Sequence, residues 1–269
     1  MAALGNIASR TAVVLGVANH RSIAWSCVQS LLEKDFRVVF TYQNERFAKT
    51  AEGLIAIASN PDNLFAVPCD VQHEIPILFQ ERLPHILGDH DFRIQAMVHS
   101  VAYAPSLKEG TLLSTSRDSF LLAHDISAYS FLELIRLAQP FLDTTQNQEA
   151  SVVALSYLGA ARAVPHYNVM GPVKASLEAL VRGLALELGP TGIRVNAVSA
   201  GPVSTMAARG IREFDAIKDD VQHRSMLRRN ITVEEVGETV AFLATSSGIT
   251  GQTIYVDGGY SAVAGPRLQ

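Results

Sequence analysis

Cysteine is almost missing from this chain of 269 residues. Cys27 and Cys69 stand far apart in unrelated contexts, so they form neither a disulfide framework nor a thiolate metal cluster and are expected to be buried small hydrophobes. Runs of Lys and Arg are lacking as well. With 22 basic and 26 acidic residues the formal charge is −4, which removes the electrostatic footprint of a nucleic-acid binder. No stretch is apolar enough for a membrane span: the longest uncharged one, 239–256, holds six Ser or Thr and two Gly. The first ten residues carry a single charge and no signal-peptide core, which makes the cytoplasm the expected compartment. The histidines, His99 and His166 among them, lack metal-ligand spacing; they read as packing residues, and no metal is expected. Long Ser/Gly/Pro linkers are absent, as are repeats with a period of roughly 20 to 50 residues, so one domain over residues 1–269 is the economical reading.

What the chain does contain is 48% hydrophobic residues in an alternating rhythm. Short runs rich in Val, Ile and Phe predict strands over 11–17, 37–42, 63–67, 93–100, 150–156, 192–199 and 253–256. Helix-period segments lie between them, near 23–33, 46–58, 73–87, 117–137, 170–188 and 233–244. This is the pattern of an α/β fold, here a single doubly wound, Rossmann-like domain with a parallel sheet of about seven strands and helices on both faces. The last helix opens on a capping box, Thr232 and Glu235, each side chain serving a free amide of the other. The segment 200–229 breaks the rhythm and is too long for an ordinary connection. Its apolar residues Met206, Ile211, Phe214, Ile217 and Met226 point to a substrate lid; a surface excursion or an oligomer contact is the alternative. Such a lid is expected to be loose until a ligand gives it something to pack on.

In doubly wound sheets ligands sit outside the carboxyl ends of the strands, and four successive strand ends are small or polar here. The first runs Gly16-Val-Ala-Asn-His-Arg-Ser22-Ile-Ala24. A glycine at this place lets the backbone approach a pyrophosphate, and the helix that follows offers free amides and a positive dipole end. The three-glycine fingerprint is missing, with Ala24 where its last glycine falls, and a plain tight turn capped by Ser22 explains the segment equally well. Thr41-Tyr-Gln-Asn44, Cys69-Asp-Val71 and His99-Ser-Val-Ala102 end the next three strands, and the four ends together mark one groove. Beyond strand 5, which ends at Ser156-Tyr157, come Tyr167 and Lys174, seven positions apart. That is about two helical turns, which puts phenol and ammonium on one helix face, the lysine favouring phenolate character and reaching ribose hydroxyls. A half-buried tyrosine and a solvated lysine fit the same spacing.

These residues resemble the short-chain dehydrogenase/reductase superfamily and, within it, the NADH-dependent enoyl-acyl-carrier-protein reductases of bacterial type II fatty-acid synthesis. The resemblance spans about residues 11–264. It rests on separate segments: Gly16 with Ser22-Ile-Ala24, Thr41-Tyr-Gln-Asn44, His99-Ser100, Ala123-His-Asp-Ile-Ser127, Ser156-Tyr-Leu-Gly159, Tyr167-Asn-Val-Met-Gly171, Ser199-Ala-Gly-Pro202 and Val256-Asp-Gly-Gly259. Carbonyl-reducing members carry Tyr-x3-Lys, an Asn-Asn-Ala-Gly-like end of strand 4 and a serine well ahead of the tyrosine. This chain has Tyr-x6-Lys, His99-Ser-Val-Ala102, and Ala154 at the serine position, which matches the enoyl-reducing branch. The difference makes chemical sense. Hydride added to the β-carbon of an enoyl thioester leaves charge on the thioester oxygen, so the acid must be aimed farther from the nicotinamide. A carbonyl or 3-ketoacyl reductase of the same superfamily and a non-catalytic dinucleotide-binding protein are the alternatives.

The resemblance implies roles residue by residue. Tyr167 hydrogen-bonds the thioester carbonyl as it becomes an enolate, Lys174 holds the nicotinamide ribose, and Tyr157 is the second active-site tyrosine. Ala104, Met170, Met206 and Phe214 shape the acyl pocket with the two tyrosines. NADH/NAD falls to Gly16, Ser22, Ile23, Gln43, Asp70, Val71, Val101, Lys174, Val203, Ser204, Thr205, Met206 and Ala207, with Asp70 and Val71 at the adenine and Thr205 near the pyrophosphate. An acyl-carrier protein bearing the enoyl substrate, and a homotetramer, are the implied partners. Ala102 stands where the family often has glycine and narrows the space beside the nicotinamide. Pro172, between Tyr167 and Lys174, requires that the helix start near Asn168 or later, or that it bend. Glu45, just after strand 2, opposes a 2′-phosphate and favours NADH, while Arg46 is long enough to swing back.

Overall fold

The computed structural model describes residues 10–88, 91–105, 111–144, 149–206 and 208–264. Within them seven strands join in one sheet: β1 (Arg10–Leu15), β2 (Phe36–Tyr42), β3 (Leu64–Pro68), β4 (Ala96–His99), β5 (Ala150–Ser156), β6 (Ile193–Ala200) and β7 (Thr253–Val256). Their order is β3-β2-β1-β4-β5-β6-β7, and every pairing is parallel. Helices cover both faces, so the inner strands are buried on both sides and largely apolar, although β6 also buries Arg194, Asn196 and Ser199. Successive side chains still point to opposite faces, and this divides the interior in two. Val13, Met97, Val152 and Ala197 pack under Phe131, Leu134, Leu177 and Val181. Their neighbours Val14, Val98, Val153 and Val198 pack under Trp25, Leu31, Val240 and Leu243. This is the doubly wound architecture that the alternating rhythm predicts.

On the second face the helices Ile23–Leu32 and Val233–Thr245 nearly touch through their backbones. A Cβ on Gly237 would stand 2.4 Å from Ser26 Oγ and 2.7 Å from the Ser26 carbonyl carbon. The capping box forms as expected: Glu235 N–H donates to Thr232 Oγ1 at 3.3 Å and Thr232 N–H to Glu235 Oε2 at 2.8 Å.

Three expectations are corrected. Strand 4 is shorter than 93–100, because Ile94 makes only an isolated bridge, to Leu142. The segments 73–87 and 117–137 are not continuous α-helices; each contains a π turn, Leu78–Arg82 and Asp125–Tyr129. In the first, Pro84 has no amide to give and its ring crowds the preceding turn, which a wider turn relieves. In the second, the Ser130 hydroxyl donates to the Ile126 carbonyl at 2.6 Å and competes with the amide ladder.

Chain order reverses at β1, which pairs with both β2 and β4. The crevice beyond their carboxyl ends is therefore a topological switch point, where doubly wound sheets bind ligands. Gly16 sits in it with φ +91°, and a Cβ there would lie 2.3 Å from the Ser100 carbonyl oxygen. Only glycine allows both that dihedral and that approach. Over the same edge, the segment after β6 leads to a helix, Phe214–Arg224, pinned by polar contacts. Tyr260 O–H donates to Asp220 Oδ2 at 2.7 Å and Lys218 Nζ donates to Ser204 Oγ at 2.7 Å.

Candidate active site

The groove is built from strand ends. Ser22 caps the helix Ile23–Leu32, accepting from Trp25 N–H at 3.2 Å and donating its hydroxyl to the Asn19 carbonyl at 2.7 Å. Val17 N–H reaches the Thr41 carbonyl at 2.9 Å, which ties the first loop to β2. Past β2 and β3, Gln43 Nε2 donates to Asp70 Oδ2 at 3.4 Å, and Asp70 Oδ1 accepts from Gln72 N–H at 3.0 Å. Val71 is buried beside them, and Val101 is half-buried after β4. After β6, Val203 is buried; Thr205 Oγ1 accepts from Ala208 N–H at 3.2 Å. Met206 turns toward the first loop, its Sδ 4.0 Å from Asn19 Nδ2. Ala207 lies outside the described residues. The glycine cradle and the free amides at a helix start suit a pyrophosphate, and the donors and acceptors beyond β2 and β3 suit an adenosine.

The tyrosines close the other end of this edge. Tyr167 does not share a helix face with Lys174, contrary to the spacing argument: the helix Met170–Leu188 begins three residues later. Pro172 consequently falls in the first turn, where an amide has no intrahelical partner. Before it, His166 and Asn168 adopt φ of +61° and +42°, and the chain between them presents the Tyr167 ring to Gly159. A Cβ on that glycine would stand 2.3 Å from Tyr167 Cδ1. The rings of Tyr157 and Tyr167 meet edge on, with centroids 4.7 Å apart. Burial pushes the Tyr157 phenol up to about 12 and the Tyr167 phenol higher still.

A second expectation fails with the first, since Lys174 gives Tyr167 no phenolate character. Its Nζ donates to the Leu155 carbonyl at 2.6 Å, and the phenol stays protonated because burial penalises the anion. Burial also lowers the Lys174 ammonium to about 8, with Glu178 pulling the other way. Glu178 accepts a hydrogen bond from Ser156 Oγ at 2.6 Å. At the end of β4, His99 Nε2 meets Ser130 Oγ at 2.8 Å. Since Ser130 gives its own proton to Ile126, the imidazole donates through Nε2, and its Nδ1 is a buried acceptor with no partner. Burial and then the Lys174 charge lower His99 to about 3, so it is neutral.

Two clefts of about 410 Å³ flank the tyrosines. Leu112, Tyr167, Asn168 and Pro172 line one, Tyr157, His166, Glu213, Ile217 and Tyr260 the other, and Arg162 lines both. Ala104 and Met170 are buried in the same apolar cluster as Tyr167. Phe214 is half-buried and lines neither cleft, although the adjacent Glu213 and Ala216 line the second. Sequence reasoning missed Ser156, Glu178, the His99–Ser130 pair and Arg162. For Glu178 a signal existed: it stands one helical turn after Lys174.

A doubly wound parallel sheet with a glycine cradle at its switch point, and a protonated tyrosine and a buried lysine at the same edge, define a nicotinamide-dinucleotide oxidoreductase. The comparisons with known proteins make this specific. The family model described as Enoyl-(Acyl carrier protein) reductase matches residues 16–261, and the chain belongs to that family of enzymes. It is 42% identical to the NADH-dependent enoyl-acyl-carrier-protein reductase of Bacillus subtilis, over 96% of this chain and 98% of the relative. Identity to the NADPH-dependent enzyme of Staphylococcus aureus is 40%, over 96% and 99%. The Bacillus cereus reductase, solved with NADP+ and an indole naphthyridinone, superposes with a TM-score of 0.87 at 41% identity, covering 95% of this chain and 97% of that one.

Proposed function

We propose that the chain reduces the trans-2 double bond of enoyl-acyl-carrier-protein thioesters with NADH, in fatty-acid elongation. The observation that carries this is Tyr167, a buried phenol kept protonated and stacked edge on against Tyr157 beside the clefts. In this reading Gly16, Ser22 and Ile23 take the pyrophosphate, Gln43, Asp70 and Val71 the adenosine, and Val101 and Lys174 the nicotinamide riboside. Val203, Ser204, Thr205 and Met206 close over them as part of a lid at about 200–229, and the resemblance assigns Ala207 to the same cofactor. When bound, the nicotinamide supplies a hydride to the β-carbon. Tyr167 donates its O–H to the thioester oxygen and holds the charge that grows there, a role in which one preorganised donor contributes about 100–1,000-fold. Lys174, charged below about 8, donates to ribose hydroxyls. Tyr157, Ala104, Met170, Met206 and Phe214 border the acyl chain.

Ala154 supports enoyl over 3-ketoacyl reduction by its count from Tyr167, since the position at which carbonyl reducers carry a serine has no hydroxyl here. Glu45 supports NADH: it is exposed directly after β2, where a 2′-phosphate would meet its charge. A homotetramer is supported by apolar side chains left exposed on two helices, Leu121 and Tyr129 in 117–138 and Leu186 in Met170–Leu188. Two free, buried thiols suit the reducing cytoplasm. No helix among the described residues is long and apolar enough to cross a membrane. The test is a steady-state comparison of crotonyl and acetoacetyl thioesters with each dinucleotide. We expect crotonyl turnover with NADH to be the fastest of the four combinations. Faster acetoacetyl reduction would overturn the substrate reading, and equal kcat/KM for NADH and NADPH the cofactor reading.

A further inference from the structure

A buried ammonium needs a counter-charge, and the helix that carries Lys174 holds one that the proposed chemistry does not use. Lys174 and Glu178 are 5% and 8% exposed and stand one turn apart on the helix Met170–Leu188. Their heads are anchored on consecutive residues at the end of β5: Lys174 Nζ donates to the Leu155 carbonyl at 2.6 Å, and Ser156 Oγ donates to Glu178 Oε1 at 2.6 Å. We propose that Glu178 and Ser156 are positioning residues for Lys174, the carboxylate held by the serine hydroxyl being the counter-charge that keeps the ammonium charged and in place to bind the nicotinamide ribose. This rests on the reading of Lys174 as a cofactor ligand.

The other groups around Lys174 cannot serve. His99 on β4 is neutral, and Tyr167 on the preceding turn is protonated. The Leu155 carbonyl contributes only a dipole. On the β7 side, Tyr255 is also held protonated by burial, and Asp257 is turned onto the amides of Gly259 and Ser261 at 2.9 and 2.8 Å. Glu178 is the charge that raises Lys174 against the burial that lowers it. The Ser156 hydroxyl, donating to Oε1, holds that carboxylate in place at the end of β5. Removing that charge leaves the ammonium buried and uncompensated, and it answers by releasing its proton at lower pH. A glutamate that merely filled space would affect folding without moving the lysine's titration.

The experiment uses Glu178→Gln, which keeps the shape and an acceptor for Ser156, and Ser156→Ala, which keeps the carboxylate but frees it. NADH affinity is measured by fluorescence titration from about pH 6 to about pH 9, and Lys174 is followed in the ligand-free protein by 13Cε NMR. Glu178→Gln is expected to bind NADH like the parent at the acid end. Its affinity is expected to fall with a midpoint about one pH unit or more lower, which is about tenfold weaker binding above both midpoints. The Lys174 resonance shifts its midpoint with it, and Ser156→Ala moves both in the same direction by less. Should Glu178→Gln not fold, Ser156→Ala carries the test. Affinity curves parallel to the parent's, or an unmoved Lys174 midpoint, would overturn the proposal. Lys174→Ala separates the two readings: if it binds NADH like the parent at every pH, the assignment of Lys174 to the cofactor fails, whereas the NMR midpoint judges the charge pairing by itself.

Discussion

Acid should unfold this protein in part through one imidazole. His99 is fully buried at the end of β4, hydrogen-bonded to Ser130 and close enough to Lys174 to feel its charge. Burial, with the lysine's help, lowers its pKa from 6.5 to about 3. The unfolded chain takes up a proton below about pH 6.5, and the folded one declines it until about pH 3. A depressed folded-state pKa means that the stability contributed by the neutral ring is complete above the unfolded value and drains as the pH falls, by about 1.4 kcal/mol per unit. Between pH 7 and pH 5 the loss is about 2 kcal/mol, a sizeable share of the roughly 5–15 kcal/mol that holds a typical protein folded. Carboxylates lose stability in the same direction: Arg82 holds Glu74, and Arg229 holds Glu235, below the usual carboxylate range. A control that removes only the imidazole isolates its share. In His99→Gln the amide can donate to Ser130 but never titrates. Urea unfolding of both proteins at pH 7 and pH 5, at one protein concentration, is expected to show the parent losing about 2 kcal/mol more than the variant over that interval. Equal losses would refute the account of His99 as a neutral ring sealed from water.

Tyr167→Phe should lower turnover about 100–1,000-fold with NADH affinity nearly unchanged, whereas Lys174→Ala should weaken NADH binding as well as slow turnover; fluorescence titration beside steady-state rates checks this, and equal weakening of NADH binding would sink the division of roles. Amides in 200–229 should exchange more slowly with deuterium once NADH is added, because the lid then has a partner to pack against; protection that NADH leaves unchanged would contradict the lid. Two glycine substitutions in helices should have opposite signs. Gly53→Ala, with nothing within 4 Å of the new Cβ, should stabilise by about 0.5–1 kcal/mol, while Gly237→Ala, driven into Ser26 at 2.4 Å, should destabilise by about 1–3 kcal/mol, and a shared sign in denaturant unfolding would refute the packing described.

Local chemistry was enough for the architecture. The Val- and Ile-rich runs, the helix-period segments between them and the Thr232–Glu235 box depend on propensity and on hydrogen bonds between near neighbours, so their order alone specifies a parallel doubly wound sheet and puts Gly16, Gln43, Asp70 and Val101 along one edge. The family was legible for the same reason, since its motifs are short and contiguous. Interactions between distant residues were not. The spacing of Tyr167 and Lys174 suggested one helix face, but Pro172 and the left-handed His166 and Asn168 begin the helix after the tyrosine. The bond from Ser156 to Glu178 joins residues 22 positions apart, and His99 meets Ser130 across 31. Proton affinities were the least legible of all. Tyr167, Lys174 and His99 each depart from their ordinary values chiefly because the folded chain excludes water around them, and a dielectric environment belongs to the packed molecule, not to any stretch of its sequence.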